Sequence, residues 1–142
     1  MKADDIIAAL DLAPHPEGGW YRQTWAGAPA GGRPLGTAIH FLLRAGERSH
    51  WHRIDATEIW FWQAGAPLAL RIAEGETGPV HSLTLGPDPL AHAMQGVVPP
   101  GRWQAAHGLG DWTLVGCTVT PGFTFDGFEL APPGFDIPDD ED

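Results

Sequence analysis

The sequence predicts a single all-β domain folded as a double-stranded β-helix, or jelly roll, with one short N-terminal helix. Its 142 residues are the common size of one domain with one core. It combines 19 Gly and 14 Pro with 43% hydrophobic residues, which is too much turn chemistry for a helical bundle and too apolar for a disordered chain. Short strand-like segments also follow one another between Gly- and Pro-bearing turns, as in a β-sandwich or barrel.

Each predicted element has a local signal in the sequence. Segment 4–10 begins with two aspartates and then spaces Ile and Leu as an amphipathic helix does, and Pro14 and Pro16 end it. The segments that follow are rich in apolar, β-branched or aromatic residues. We therefore predict strands at 20–25, 37–43, 48–53, 57–63, 67–73, 79–85, 94–98, 102–107 and 112–120.

Domain organisation is simple, because no internal repeat or linker divides the chain. We assign residues 1–130 to one domain. Residues 131–142 are Pro-rich and acidic and have no apolar periodicity, so we expect a loosely held tail. Deletion of residues 136–142 is expected to leave the melting temperature nearly unchanged.

Charge and hydropathy exclude several classes of partner. The formal net charge is −10, and no Lys/Arg cluster could follow a phosphate backbone or an anionic membrane surface. Neither a signal-peptide pattern nor an apolar stretch long enough to span a membrane is found, so we expect a cytoplasmic protein. Cys117 is the single cysteine and is predicted to be a buried strand thiol.

The segment from Gly46 to Glu58 contains the strongest chemical signal. His50 and His52 are two residues apart, so on a regular strand both imidazoles point to one face. A turn near residues 54–56 would return Glu58 beside them. Two imidazoles and a carboxylate suit a divalent metal such as Zn, Ni, Mn or Fe, and they equally suit proton transfer.

The same segment resembles the first motif of the cupin superfamily: a Gly, then His-x-His, Glu and Gly, here Gly46, His50, His52, Glu58 and Gly65. The second cupin motif, Pro-x-Gly-x2-His, is recognisable at 99–104, where Gln104 stands in place of the family's metal-binding His. An amide is a poorer ligand than imidazole for a transition metal. His107 could replace Gln104 only through a bulge or a turn, because an odd separation places it on the opposite face of a regular strand.

Further segments resemble a small cupin group catalogued as domain of unknown function 985. They are 14–22, 51–53, 57–60, 103–106 and 116–123, so the resemblance runs from about Leu12 to Leu130. It implies a barrel pocket and a homodimer, and the two cupin motifs make His50, His52, Glu58 and Gln104 the candidate metal ligands in that pocket. The segment 20–25 could extend a neighbouring subunit's sheet.

Several other residues are candidates for the pocket wall. Trp60 and Trp62 share the parity of Glu58 on their strand, and flat aromatic faces suit a sugar or heteroaromatic ligand. His40 lies on an apolar strand, where core or wall packing is favoured over ligation. Glu17 and Trp103 lie within the segments that carry the resemblance and are assigned to the same pocket.

Three functions remain open from the sequence. The first is a metal-dependent enzyme acting on a small molecule. The second is a metal-free isomerase or epimerase, in which His52 removes a proton next to a carbonyl and Glu58 assists; the resemblance to sugar-nucleotide epimerases in overall fold suggests it. The third is a non-catalytic metabolite-binding module. The fold alone does not choose among them.

Overall fold

The N-terminal helix is present as predicted. The structure of the protein is a computed structural model, and it describes residues 1–139. Helix α1 spans Ala3–Leu10 and has Asp4 and Asp5 in its first turn, where carboxylates stabilise the helix dipole. Asp11 then takes a left-handed conformation, with φ of 54°, and ends the helix.

All of the predicted strands form, and their ends shift by one or two residues at most. Four short strands were not predicted from the sequence: Ala13–Pro14, Pro29–Ala30, Arg33–Pro34 and Phe128–Leu130. The strands are β1 Ala13–Pro14, β2 Trp20–Ala26, β3 Pro29–Ala30, β4 Arg33–Pro34, β5 Thr37–Arg44, β6 Arg48–Ile54, β7 Thr57–Gly65, β8 Leu68–Ala73, β9 Val80–Leu85, β10 Gln95–Val98, β11 Trp103–Gly108, β12 Trp112–Thr120 and β13 Phe128–Leu130.

Two antiparallel sheets build the domain and confirm the jelly-roll prediction. The six-stranded sheet has the order β1-β2-β5-β12-β7-β10, and the five-stranded sheet has the order β13-β6-β11-β8-β9. Strands β3 and β4 form a separate small hairpin. Most neighbours within a sheet are not consecutive in the chain, as Greek-key connections require.

The main core lies between the two sheets. Phe41 and Leu43 of β5, Trp60 of β7, Leu70 of β8 and Val115 of β12 are at most 1% exposed. Burial of one such side chain contributes roughly 1.5–3 kcal/mol to the free energy of unfolding. This core supports the interior cavity described below.

Strand β6 contains one extra residue relative to its neighbour β11. Gln104 of β11 pairs with His52, but Ala106, two residues later, pairs with Ser49, three residues away on β6. The bulge therefore shifts the alternation of side chains along β6 by one residue. Ser49 and His52 now point to the same side of the sheet.

The expectation of a loose C-terminal tail is wrong for residues 131–139, which we call the C-terminal strap. Ile137 is fully buried, and the indole N–H of Trp51 donates to Asp136 at 2.9 Å. The Arg71 guanidinium donates to the Ile137 carbonyl at 2.8 Å. The strap packs on the outer face of the five-stranded sheet because Trp51, Ala73 and Trp103 present apolar surface there.

Within residues 1–139, no helix has both the length and the apolar character that crossing a membrane requires.

Candidate functional site

A small cavity of about 30 Å³ lies inside the barrel and is bordered by two carboxyl groups, those of Glu17 and Glu58. His15 and Cys117 add polar atoms to its wall. The remaining lining residues are Tyr21, Thr37, Ile39, Ile54, Val119 and Phe123. A space of this size holds roughly one water molecule, so a larger ligand requires part of the wall to move.

The segment that carries Glu17 lies directly on β6. The backbone N–H of His50 donates to the Glu17 carbonyl at 2.8 Å. Gly18 has φ of +108°, and a Cβ there would collide with the Arg48 carbonyl, so this close approach requires glycine. The contact brings the Glu17 carboxyl beside the inward-facing side chains of β6.

The hydrogen bond of His52 determines which ring nitrogen carries its proton. Nδ1 lies 2.7 Å from the His50 carbonyl, which can only accept, so Nδ1–H is the donor. Burial lowers the pKa of His52 and keeps the ring neutral. The lone pair of Nε2 therefore faces Oε2 of Glu17 at 3.6 Å. His52 is not among the residues that line the cavity.

His15 is also a neutral ring. The Glu17 backbone N–H donates to its Nδ1 at 3.1 Å, which identifies that nitrogen as an acceptor. Burial, and secondarily the repulsion from His52, lower the pKa of His15 from 6.5 to about 4. The same Nδ1 lies 3.3 Å from Oε1 of Glu17. Because the His15 ring is neutral at neutral pH, this contact is not an ion pair.

Glu17 is the most perturbed carboxyl group in the site. Burial raises its pKa from 4.5 to about 8, while a hydrogen bond from the Ser49 hydroxyl acts in the opposite direction. At neutral pH the carboxyl group is mainly protonated. Glu17 then has a proton to donate, and the Nε2 lone pair of His52 can accept it.

Glu58 is the second carboxyl group at the cavity. Burial raises its pKa to about 7, and repulsion from Glu17 adds to this effect. His52, Gln104 and Cys117 favour the ionised form and limit the rise. Two carboxyl groups with different pKa values near neutrality can serve as one acid and one base.

Gln104 lies in the barrel interior, where its second-motif position predicts it, but its amide is oriented away from metal ligation. The indole N–H of Trp60, a group that can only donate, lies 2.8 Å from Oε1 of Gln104. The amide nitrogen consequently points to Glu58 and donates to its Oε1 at 2.8 Å. The side presented to Glu58 is a hydrogen-bond donor, which would repel a cation.

His50 and His107 lie outside the barrel. The prediction that His50 and His52 point to the same face is wrong, because the bulge in β6 turns His50 outward. There Nε2 of His50 lies 3.0 Å from the Pro132 carbonyl. His107 of β11 lines an outer cavity with His50. For His107 to enter the barrel, the bulge would have to lie in β11 between Gln104 and His107. The bulge lies in β6 instead, so His107 points to the outer face of the sheet, opposite to Gln104.

The donor set does not fit the predicted metal centre. Of the four predicted ligands, His52 and Glu58 face the interior, Gln104 presents its amide nitrogen, and His50 faces outward. The described part of the chain, residues 1–139, contains no group of three or more His, Cys, Asp or Glu side chains arranged to hold a metal ion. The site therefore offers proton-transfer chemistry more directly than ligation.

The other predicted wall residues occupy different places. Trp60 is buried beneath Gln104, and Trp62 packs on the edge of the same core with its indole N–H on the Ala66 carbonyl. Trp103 lies under the C-terminal strap beside Phe135. His40 alternates with the interior-facing Ile39 and Phe41 and so faces outward on the six-stranded sheet. Glu17 is the one wall candidate that lines the cavity.

Sequence reasoning did not identify His15, Ser49, Tyr21 or Phe123 as site residues. His15 and Tyr21 lie within the segment 14–22 that carries the resemblance, so that segment was a usable signal. Ser49 had no signal, because its inward direction depends on the bulge in β6. Cys117 is buried as predicted, and its thiol also forms a hydrogen bond with the Glu58 carboxyl group at the cavity.

Comparisons with known proteins identify the family and agree with the fold. The family model described as Cupin superfamily (DUF985) matches residues 4–131. A Shewanella oneidensis protein of known structure is 41% identical, with TM-score 0.86 over 92% of this chain and 85% of that one. A hypothetical protein from Leishmania major is 28% identical, with TM-score 0.84 over 95% of this chain and 90% of that one.

A more distant comparison concerns the fold alone. Oxalate decarboxylase from Bacillus subtilis is 13% identical, with TM-score 0.63 over 85% of this chain and 30% of that one. No curated protein matches the chain.

Proposed function

Because the chain belongs to the family described as Cupin superfamily (DUF985), we propose that it binds a small molecule inside the barrel and transfers protons to and from it. The observation that carries this proposal is that two carboxyl groups, those of Glu17 and Glu58, line one small cavity inside the barrel. Their pKa values are raised to about 8 and about 7. Buried carboxyl groups with perturbed pKa values in a cleft are typical of acid–base sites.

The roles follow from the protonation states. Glu58, about half ionised at pH 7, accepts a proton from carbon next to a carbonyl group. Glu17, protonated at that pH, donates its proton to the ligand, so no net proton is consumed. Proton exchange between the two carboxyl groups and solvent then restores the starting state. This is the chemistry of an isomerase or epimerase.

His52 acts in this proposal as a positioning residue and not as the base that contacts the ligand. Its Nε2 faces Oε2 of Glu17 at 3.6 Å, behind the cavity wall. After Glu17 has given its proton to the ligand, Nε2 of His52 can take up a proton from solvent, and the resulting imidazolium stabilises the Glu17 carboxylate until that proton passes to Glu17.

The metal-dependent alternative has weaker support from the side chains. It requires the Gln104 amide to rotate away from Trp60 and Glu58, which would leave the buried indole N–H without its partner at a cost of about 1–3 kcal/mol. His52, Glu58 and Glu17 would then be the residues nearest to a metal, and the metal would supply Lewis-acid chemistry. The binding-only alternative uses the same cavity without chemistry.

Hydrogen–deuterium exchange at carbon tests the proposal. Small hydroxyketones and keto sugars that raise the melting temperature are incubated with the protein in D₂O, and proton NMR follows the loss of the C–H signal next to the carbonyl. We expect exchange with the wild type. Glu17→Gln and Glu58→Gln keep similar shapes without an ionisable carboxyl group and should abolish exchange while ligand binding persists.

Glu76→Gln is the matched control, because it removes a carboxyl group that is exposed and outside the barrel. It should exchange at the wild-type rate. Protection by a ligand without any exchange would instead support the binding-only module. Exchange that is lost with a chelator and restored by one metal would support the metal-dependent alternative.

A further inference from the structure

A second cavity of about 250 Å³ lies on the outer face of the five-stranded sheet, under the C-terminal strap. It shares no lining residue with the barrel cavity. Four of its lining residues are basic or can become so: Arg48, His50, Arg71 and His107. None of these four takes part in the proton-transfer site proposed above.

The sheet register places these residues next to one another. Arg48 of β6 pairs directly with His107 of β11. Arg71 of β8 pairs with Ala105, which is two residues from His107 and therefore faces the same side. Directly paired side chains have Cβ atoms about 5 Å apart, and diagonal neighbours are about 7–8 Å apart. Three adjacent strands thus present one basic cluster to the cavity.

Positive charge at this cavity is only partly balanced by acidic side chains. Among residues 1–139, Asp136 is the one acidic residue that lines it; Asp136 accepts the Trp51 indole N–H and lies 3.7 Å from Arg71. Within residues 1–139, no carboxylate lies within ion-pair distance of Arg48, which is exposed. This is notable in a chain with only 8 Lys and Arg against 18 Asp and Glu.

Neighbouring like charges also affect His107. Burial lowers its pKa first, and the positive charges of Arg48 and Arg71 lower it further. Like charges placed on paired strands reduce stability unless an anion lies between them. The arrangement is therefore one that a bound anion would stabilise.

We propose that this cavity binds an oxyanion with the chemistry of phosphate, through Arg48, Arg71 and His107. Guanidinium groups recognise phosphate with two parallel N–H bonds. Arg71 is already held in place, because it stacks over the Trp51 ring at 5.1 Å and donates to the Ile137 carbonyl at 2.8 Å. The volume accommodates inorganic phosphate or the phosphate group of a small metabolite.

The experiment measures binding of inorganic phosphate by calorimetry at low ionic strength, with chloride at equal ionic strength as the reference. Arg48→Gln is the main variant, because Arg48 is exposed and no side-chain partner in residues 1–139 depends on it. We expect the dissociation constant to rise about tenfold, the loss of one charge-assisted contact. His107→Gln should also weaken binding.

Arg22→Gln is the matched control, since Arg22 is exposed on β2 of the other sheet and carries the same charge. It should bind phosphate as tightly as the wild type. No phosphate binding by the wild type, or equal binding by the Arg48 and Arg22 variants, would overturn the proposal.

A second arm distinguishes the source of the phosphate. Glycerol phosphate is titrated beside inorganic phosphate, and amide NMR shifts at Gly134 and His107 report occupancy of the cavity. Tighter binding of the ester identifies a phosphate group on a metabolite, and tighter binding of the inorganic ion identifies free phosphate. Shifts confined to the barrel residues would contradict a site under the strap.

Discussion

The indole N–H of Trp60 donates to Oε1 of Gln104 at 2.8 Å, and this contact orients the whole amide. The amide nitrogen is directed at Glu58, 2.8 Å away, so the position that the second cupin motif reserves for a metal-binding His carries a hydrogen-bond donor here. The same contact couples the core aromatic residue beneath the site to the carboxyl group on the cavity.

Metal response should depend on residue 104. Added Zn²⁺ or Ni²⁺ should leave the melting temperature of the wild type unchanged. Gln104→His places an imidazole opposite His52 in the strand pairing and near Glu58, so the variant should gain stability with the logarithm of metal concentration. Calorimetric melting at several metal concentrations measures both.

Gln95→His is the control for that experiment, because residue 95 is exposed on β10. Metal-dependent stabilisation of the wild type that His52→Ala removes would contradict our assignment and favour the metal-dependent enzyme.

The stability of the protein should fall as pH rises from about 6.5 to 8. The folded-state pKa of Glu17 is about 8 and that of Glu58 about 7, so the folded protein holds more protons than the unfolded chain up to those values. A carboxyl group whose pKa is raised by folding stabilises the folded state fully at pH values below its unfolded-state pKa of 4.5. This stabilisation is lost as the pH rises through the folded-state pKa. One proton changes the free energy of unfolding by at most about 1.4 kcal/mol per pH unit.

His15 has the opposite sign at lower pH, because its pKa of about 4 makes the folded state hold fewer protons below 6.5. Urea unfolding at intervals from pH 5 to 9 measures the profile. Glu17→Gln should flatten the decline between pH 7 and 8, and an unchanged slope would show that Glu17 is ionised in the folded protein.

Deleting residues 136–142 should lower the melting temperature. Ile137 is fully buried, and the Asp136 carboxylate accepts a hydrogen bond from the Trp51 indole N–H. Truncating a buried Ile to Ala costs about 2–5 kcal/mol, so Ile137→Ala alone should lower the melting temperature by at least 5 °C or so. Ile137→Val, which removes one methylene, is the control and should have a much smaller effect. Unchanged melting after the deletion would show that the strap does not contribute to stability.

Phe123 should control access to the barrel cavity. Its ring lines the cavity and contacts Phe125 and Phe128 with ring centroids 5.0 and 5.6 Å apart. Phe123→Ala should open the wall and speed the reaction of the buried Cys117 thiol with a small thiol reagent. Phe125→Ala is the control, because Phe125 is 57% exposed and does not line the cavity. Equal labelling rates in both variants would contradict a role for Phe123 in access.

A homodimer stays a prediction. Strand β1 pairs with Trp20 and Tyr21 of β2, and among residues 1–139 no strand pairs with that edge of β2 from Arg22 onward. Trp25 on this edge is 53% exposed. Such an edge can pair with a second copy. Sedimentation at micromolar concentration should give the dimer mass for the wild type and the monomer mass for Trp25→Glu. A monomeric wild type would refute the dimer.

Much of the fold was predictable because it depends on local chemistry. The helix at Ala3–Leu10 and the long strands follow from apolar spacing and from Gly and Pro at turns, which act over a few residues. Burial of Glu58 and the inward position of Gln104 also followed from the motif spacing. The short strand Phe128–Leu130 was missed because its pairing with β6 is a long-range contact.

The sequence by itself determined the jelly roll, the family resemblance and the residues Glu17, His52, Glu58 and Gln104 as site candidates. The tertiary structure decided which of them face one another. One extra residue in β6 turned His50 outward and Ser49 inward, because side-chain direction alternates with every residue and pairing with β11 sets the count. Likewise, Trp60 oriented Gln104, and Trp51 and Arg71 held the C-terminal strap, through contacts between residues 44 to 85 positions apart in the chain. Sequence patterns report only on near neighbours along the chain, so they could not predict these contacts.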